Sequence, residues 1–279
     1  MDSTFKENKY FNTYYYANIV NNILTRDISL IGFISDFFAD EEALFYLAKP
    51  FQRFSAFHEF IKQMTWRFLD DDMCTHDEEE HAYYLLNKPK YTFRPYGEWV
   101  LENYNLQFPF SEFIRKEEEI SYEDVEKYHD QLRLCGLLEE VVDKITEEVF
   151  YLMFNNRGAL LKFNYLVAEY LRELNYELSE DEDRKFKKLF TRKGTLKRAP
   201  IPEWSKKAVF YRDRGVCCNC HSDLTGLINL LSNKNFDHIV PLALGGLNDV
   251  SNLQLLCSKC NNAKSAHEIY TSAMYQFWF

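Results

Sequence analysis

Phe236-Asp237-His238-Ile239-Val240-Pro241-Leu242-Ala243-Leu244-Gly245-Gly246-Leu247-Asn248-Asp249 runs on through Val250-Ser251-Asn252-Leu253-Gln254-Leu255-Leu256 and is framed by two cysteine pairs, Cys217/Cys220 and Cys257/Cys260. Phe236 to Val240 reads as a short strand, Gly245-Gly246 as a loop and Leu253 to Leu256 as a return strand. Past Cys260, Asn261-Asn262-Ala263-Lys264-Ser265-Ala266-His267-Glu268 begins a helix. A Cys-x-x-Cys turn lets two thiolates share one face of a tetrahedral zinc ion, and two such turns close a structural site. A redox-active disulfide needs one pair only, in a thioredoxin-like setting that is missing. Cys218 opens a second register through Cys218-x-x-His221, but its neighbours favour Cys217 and Cys220 as the ligands.

Upstream, Trp204, Val209, Phe210 and Tyr211 mark a leading helix, followed by Arg212-Asp213-Arg214-Gly215-Val216. Before it, Arg192-Lys193-Gly194-Thr195-Leu196-Lys197-Arg198-Ala199-Pro200 is a basic stretch ending in a proline stop. It reads either as a soluble tether or as a phosphate-tracking strip beside the cysteine-framed segment. The boundary is placed there, giving an N-terminal domain over 1–183, a linker over 184–200 and a C-terminal domain over 201–279.

The chain has 279 residues, enough for two domains. With 46% hydrophobic and 17% aromatic residues it has ample material for packed cores. The net charge of −10 argues against a nucleic-acid partner until it is mapped. Residues 1–183 hold 18 Lys+Arg against 37 Asp+Glu, a net of −19, whereas residues 184–214 hold 12 against 2, a net of +10. The acidic part suits a protein partner or a regulatory role, and the basic part suits a polyanion.

From Tyr10 to about Leu174 apolar residues recur at three- and four-residue spacing, as in Ile19, Ile23 and Leu24 or Phe57, Phe60, Ile61 and Met64. Seven to nine helices are expected, interrupted by a loop over Lys88 to Pro95. Ser179-Glu180-Asp181-Glu182 has capping-box spacing for one more short helix. Asp70-Asp71-Asp72 and Asp77-Glu78-Glu79-Glu80-His81 read as solvated charge, not a metal site. His58, His76 and His129 pair with nothing at a diagnostic spacing. Cys74 and Cys135 are expected to be buried or half-buried free thiols. The apolar tail Met274 to Phe279 is expected to fold back on the core. No run of about 18 apolar residues and no secretory layout at Met1 to Lys6 is present, so a cytoplasmic protein without membrane contact is expected.

The constellation from Pro202 to Tyr270 resembles the HNH endonuclease family. The resemblance implies a small α+β, zinc-containing ββα-metal domain at the C-terminus, joined to the mainly α N-terminal domain that the apolar periodicity predicts. It also implies His238 as general base, Asp237 as ligand of a catalytic cation and Asn252 as the residue that supports the loop and orients the base. Asn261 stands where the family often has His, and as an oxygen donor it favours Mg²⁺ or Mn²⁺ over a soft metal. Lys259, Lys264, Arg212 and Arg214 are the expected phosphate contacts, while His267 is expected on the helix surface. DNA is the expected substrate. An RNA-cleaving or mobile-element nuclease and a non-catalytic zinc adaptor are the competing readings. Joined to an acidic helical domain, the arrangement is similar to nuclease effectors of bacterial anti-phage defence.

Overall fold

The computed structural model describes residues 12–25, 46–88, 92–114, 119–177, 188–226 and 233–272, together with Gly32, Asp36 and Phe37. Seven helices precede the basic stretch among these residues: α1 (Thr13–Thr25), α2 (Ala56–Asn87), α3 (Tyr96–Asn103), α4 (Phe110–Phe113), α5 (Tyr122–Leu134), α6 (Leu137–Phe154) and α7 (Arg157–Glu177). After it come α8 (Glu203–Arg212), the strands β1 (Phe236–His238) and β2 (Leu253–Leu255), and α9 (Ser258–Lys264). The architecture is therefore mostly helical with one small antiparallel sheet near the C-terminus, as the sequence implies. The Ser179 capping box and the tail from Met274 lie outside the described residues. No helix among those described is long and apolar enough to cross a membrane.

The chain forms two compact units, and neither follows the sequence boundary at 184–200. One comprises residues 1–17 and 61–149, the other 18–60 and 150–279. In the first unit, the acidic run expected to be solvated is split. Asp71, Glu78 and Glu79 are exposed, but Asp77 is fully buried. Its Oδ1 accepts the Tyr96 backbone N–H at 2.7 Å, and its Oδ2 lies 3.0 Å from His129 Nε2. The residue before α3 is Pro95, whose side chain cannot cap, so a carboxylate from α2 does it instead. A Ser121/Asp124 capping box starts α5. Cys74 and Cys135 are exposed rather than buried: Cys74 sits on the charged face of α2 beside Asp70 and Asp71, and Cys135 ends α5 at a turn.

The second unit gathers the cysteine-framed segment around α7 and the start of α2. Phe37, Phe57, Phe60 and Phe163 form its aromatic core, with ring centroids 5.0 Å apart for Phe57 and Phe163 and 5.4 Å for Phe60 and Phe163. Arg157, at the start of α7, pairs with the buried Asp213 at 3.2 Å, and Asn164 donates to Ser251 Oγ at 3.3 Å. Asp249 accepts the Ala56 N–H that opens α2 at 3.0 Å. These links, which join residues 56, 87 and 193 positions apart, explain why a linear reading puts the boundary elsewhere.

Ser55 and His58 close the N-terminus of α2 with an imidazole in the role that Glu or Gln plays in a capping box. The ring's Nδ1 accepts from Ser55 N at 3.0 Å and lies 2.7 Å from Ser55 Oγ, while the ring stacks on Phe150 at 3.4 Å. Burial pushes His58 down to about 3, so the folded state holds it neutral. Below the unfolded value near 6.5, the unfolded chain takes up a proton that the folded chain refuses, and stability falls by about 1.4 kcal/mol per pH unit for this group. His58→Gln keeps a cap acceptor and removes the titration. Urea unfolding at pH 6.5 and 5.0 is expected to show about 2 kcal/mol less acid loss in the variant. An equal loss in both proteins overturns the assignment.

Candidate active site

The zinc ligands come from two turns. Val216 and Asp223 form a bridge that pinches the first, Cys217 N donates to Ser222 O at 2.9 Å, and His221 takes a left-handed φ of 62° to close it. The second is the start of α9, where Cys257 serves as N-cap and its sulfur accepts the Cys260 N–H at 3.4 Å. The helix therefore begins at Ser258, three residues earlier than the sequence reading. The sulfurs of Cys217, Cys220, Cys257 and Cys260 all lie within 4.8 Å of one another, and Cys220 and Cys257 are 3.7 Å apart. Thiolates on a tetrahedral zinc at about 2.3 Å stand roughly 3.8 Å apart, so the cluster fits the ion. Hydrogen bonds from Ser222 pull Cys220 down to about 6, while burial and the neighbouring thiols push Cys260 up to about 12. Four thiolates in one place need a cation between them.

Cys218 stands apart from this cluster. Its N–H donates to Leu255 O at 2.9 Å, and its buried sulfur accepts from Arg157 Nη1 at 2.7 Å. Burial, aided by Asp213, pushes the thiol up to about 12. The register thus falls on Cys217 and Cys220.

Strands β1 and β2 pair antiparallel with Phe236 opposite Leu255, Asp237 opposite Gln254 and His238 opposite Leu253. Both strands are three residues long, shorter than the sequence suggests, because Val240 leaves the ladder to be held by Asn252. That residue is fully buried. Its Nδ2 donates to Val240 O and Leu247 O, both at 2.9 Å, and its Oδ1 accepts Val240 N–H at 2.8 Å. Its own carbonyl accepts Ile239 N–H at 2.7 Å. Gly246 packs so tightly beneath that a Cβ there would sit 1.9 Å from Val240 O and 2.9 Å from Asn252 Nδ2. Asn252 therefore fixes the segment leaving His238 from three directions. Asn252→Ala strands these buried groups at about 1–3 kcal/mol each. A loss of about 3–5 kcal/mol in the unit containing this segment is expected by urea unfolding, and a loss under 1 kcal/mol would contradict the clamp.

Asp237 is held from two sides. Gln254 Nε2 donates to its Oδ2 at 3.1 Å and to Tyr270 O at 2.8 Å. Lys264 Nζ lies 2.9 Å from the same oxygen and donates to the carbonyl of His238 at 2.8 Å. Lys264 is buried, so the expectation that it meets phosphate at the surface is corrected: it binds the Asp237-His238 strand. Oδ1 of Asp237 has no partner among the described residues. Asn261 lies three residues before Lys264 on α9 and donates through Nδ2 to Lys234 O at 2.9 Å, which leaves its Oδ1 likewise unpartnered. Asp237 Oδ1 and Asn261 Oδ1 are the hard oxygens that could serve a divalent cation.

The His238 ring is 2% exposed, and its Nε2 has no hydrogen-bond partner among the described residues. Burial, the Arg198 charge and the Lys264 charge together push it down to about 3, so the imidazole is neutral with a free lone pair.

Arg212 is a second correction. Instead of facing nucleic acid it is buried, donating to Asp213 at 2.8 and 2.9 Å and to Leu253 O at 2.6 Å, with its guanidinium 4.9 Å from the Phe154 ring centre. Burial alone would raise Asp213, but Arg212, Arg157 and the Leu255 N–H outweigh it and hold the carboxyl below its usual range. Arg214 and Lys259 are exposed. His267 is exposed too, beyond the end of α9. Gln254, Asp213 and Arg157 were not singled out from the sequence. Gln254 had a signal, being the one polar residue between Leu253 and Leu255 in the strand opposite Asp237.

Residues 217–269 match the HNH endonuclease family, covering both cysteine pairs, β1, β2 and α9. This part of the chain is thus similar to HNH endonucleases, and it carries four clustered cysteines that could hold a zinc ion. No curated protein and no solved structure matches the chain.

Proposed function

We propose that the chain is a metal-dependent endonuclease that hydrolyses phosphodiester bonds of DNA, with His238 as the general base. The observation that carries this reading is the neutral, unpartnered Nε2 of His238 next to a carboxylate fixed by Gln254 and Lys264. An inert zinc module has no use for a buried imidazole with nothing to bond. Nε2 takes a proton from the attacking water as its oxygen bonds to phosphorus, and the 3′ oxygen departs. Asn252 keeps the ring's strand in place, and Lys264 and Gln254 keep Asp237 turned. Bound at Asp237 and Asn261, Mg²⁺ or Mn²⁺ would supply the positive charge that the pentavalent phosphorus needs.

The acidic helical region is proposed as the regulatory or partner-binding part, in a cytoplasmic protein that acts in anti-phage defence. Two features support the regulatory part of this reading: the net charge of −19 over residues 1–183 and a candidate base that is 2% exposed. A covered base calls for an opening step before turnover. Hydrogen exchange over residues 236–244 is expected to rise when duplex DNA and Mn²⁺ are added, and unchanged protection in an active protein removes that step.

The function itself is tested by plasmid nicking with Mg²⁺ or Mn²⁺, comparing full-length protein with His238→Ala. Nicking that disappears in the variant supports the reading. A wild type inactive on DNA but active on matched RNA moves the substrate, and one inactive on both leaves a zinc-binding adaptor.

A further inference from the structure

The basic stretch before α8 is neither an open tether nor a continuous strand. Phe190 and Leu196 form an antiparallel bridge, Thr191 N donates to Thr195 O at 2.7 Å, and Lys197 N donates to Leu189 O at 2.9 Å. Gly194 N returns to Thr191 O at 3.0 Å with a φ of 75°, which makes Arg192 and Lys193 the tip of a tight hairpin. Leu196 is buried beneath it, whereas Lys188, Arg192, Lys193, Lys197 and Arg198 are exposed. No carboxylate pairs with any of these five among the described residues. Elsewhere in the same unit, Lys207 is paired with Glu203 at 2.8 Å.

Among the described residues, the side chain of Asn248 fastens the hairpin to the segment matched by the HNH family. Asn248, buried in the loop after Gly246, donates through Nδ2 to Lys197 O at 2.9 Å and accepts Ala199 N–H on Oδ1 at 3.1 Å. Arg198 is the residue between these two bonds, so its backbone is fixed on both sides. Leu247, next to Asn248, is itself held by Asn252, which also grips the segment that leaves His238. A short chain of buried amides therefore ties the cationic hairpin to the strand carrying the candidate base.

We infer that this hairpin, Lys188 to Arg198, is a preformed grip for the phosphate backbone of duplex DNA, with Arg198 nearest the site of cleavage and Arg192 and Lys193 further along the duplex. The inference rests on the nuclease reading for the identity of the polyanion. Cations with no carboxylate partner among the described residues, carried on a hydrogen-bonded hairpin, meet phosphate without the cost of ordering the backbone and carry no base readout. At about 3.3 Å per strand residue, the four or five residues from Arg198 to the tip span roughly 15 Å. That is about four base pairs of backbone at 3.4 Å per step. An HNH domain that reads no sequence gains from it a fixed register between backbone and base.

The test measures binding apart from cleavage, using full-length protein carrying His238→Ala and a labelled 25-base-pair duplex, with anisotropy read across a salt series. Arg192→Glu/Lys193→Glu is expected to weaken binding at least about 10-fold and lower the salt slope by about two, and Arg198→Gln to lower it by about one. Lys207→Glu, the same kind of charge change on α8, is the control and leaves both unchanged. Should the reversal disturb folding, seen as lost zinc or a shifted melt, Arg192→Gln/Lys193→Gln takes its place with an expected loss of about 5-fold. An unchanged slope, an equal loss with Lys207→Glu, or tighter hairpin-dependent binding of a matched RNA duplex overturns the grip. A wild type inactive on plasmid but with hairpin-dependent affinity sinks the nuclease reading alone. Active protein whose affinity ignores the hairpin sinks the grip alone.

Discussion

Cys260→Ser, or exhaustive chelation, is expected to release zinc and unfold the segment from Cys217 to Lys264, with loss of all nuclease activity. The elements involved are two three-residue strands and a seven-residue helix, far below the length at which either is stable by itself. Apparent zinc affinities of four-thiolate sites correspond to about 10–16 kcal/mol, as large as the whole stability of an ordinary domain. Removing the ion removes that folding energy and leaves four crowded sulfurs, among which burial and the neighbouring thiols push Cys260 up to about 12. The measurement is zinc per chain by elemental analysis, with amide exchange at Cys218 and Leu255, whose backbones are bonded to each other. Cys218→Ser distinguishes the two registers. Its sulfur bonds to Arg157 and lies outside the cluster, so one zinc per chain is expected to remain. Loss of zinc in Cys218→Ser with retention in Cys217→Ser would overturn the assignment.

The parts of this site legible in the sequence are those whose chemistry constrains spacing. Cys217, Cys220, Cys257 and Cys260 could be picked out because a zinc turn admits few separations, and the strand, loop, strand and helix between them followed. What stayed hidden depends on long-range burial. Arg212 has a high charge and a place in a basic run, which points to the surface. Yet Ser205, Val209 and Arg212 fall at helical spacing and form the buried stripe of α8, while the apolar Tyr211 is 75% exposed. Periodicity carried the better information, and residue type misled, because the partner that makes an arginine tolerable inside is Asp213, with Arg157 from α7 opposite. Lys264 misled in the same way through Asp237. Asp77 was read as solvent-facing since its neighbours are, but it is buried, where it caps Tyr96 and lies against His129.

The same long-range contacts bear on how the protein can be dissected. A fragment beginning at residue 200 would lose Arg157 opposite Asp213, Asn164 against Ser251 and the Ala56 N–H that Asp249 accepts. It would also lose Lys197, to which Asn248 donates, and Ala199, whose N–H Asn248 accepts. Several buried polar groups would be left unmatched at about 1–3 kcal/mol each. Activity comparisons with that fragment would report its stability as much as any regulation, and point substitutions in the full chain are the better instrument.

His238→Ala is expected to lower nicking at saturating DNA and cation by about 10³-fold or more with the zinc content and melt preserved, since a positioned general base contributes about 10² to 10⁴. The pH dependence of the wild type gives a sharper result. A general base acts unprotonated, and burial with Arg198 and Lys264 holds free His238 near 3, so protonation does not compete until well below the ordinary histidine range. The profile of kcat/KM, which reports the free protein, is therefore expected to stay flat on this group's account from pH 8 to pH 5. A bound phosphodiester brings negative charge towards the ring and offsets the two cations, which raises the pKa in the complex. The acid limb of kcat must then lie at higher pH than that of kcat/KM. The direction also favours catalysis, because a base near 3 is too weak to take a proton from water and one raised by its own substrate is stronger. Coincident acid limbs near 6.5 in both profiles would mean that His238 titrates as an exposed imidazole, and its role as a buried, substrate-tuned base would fail.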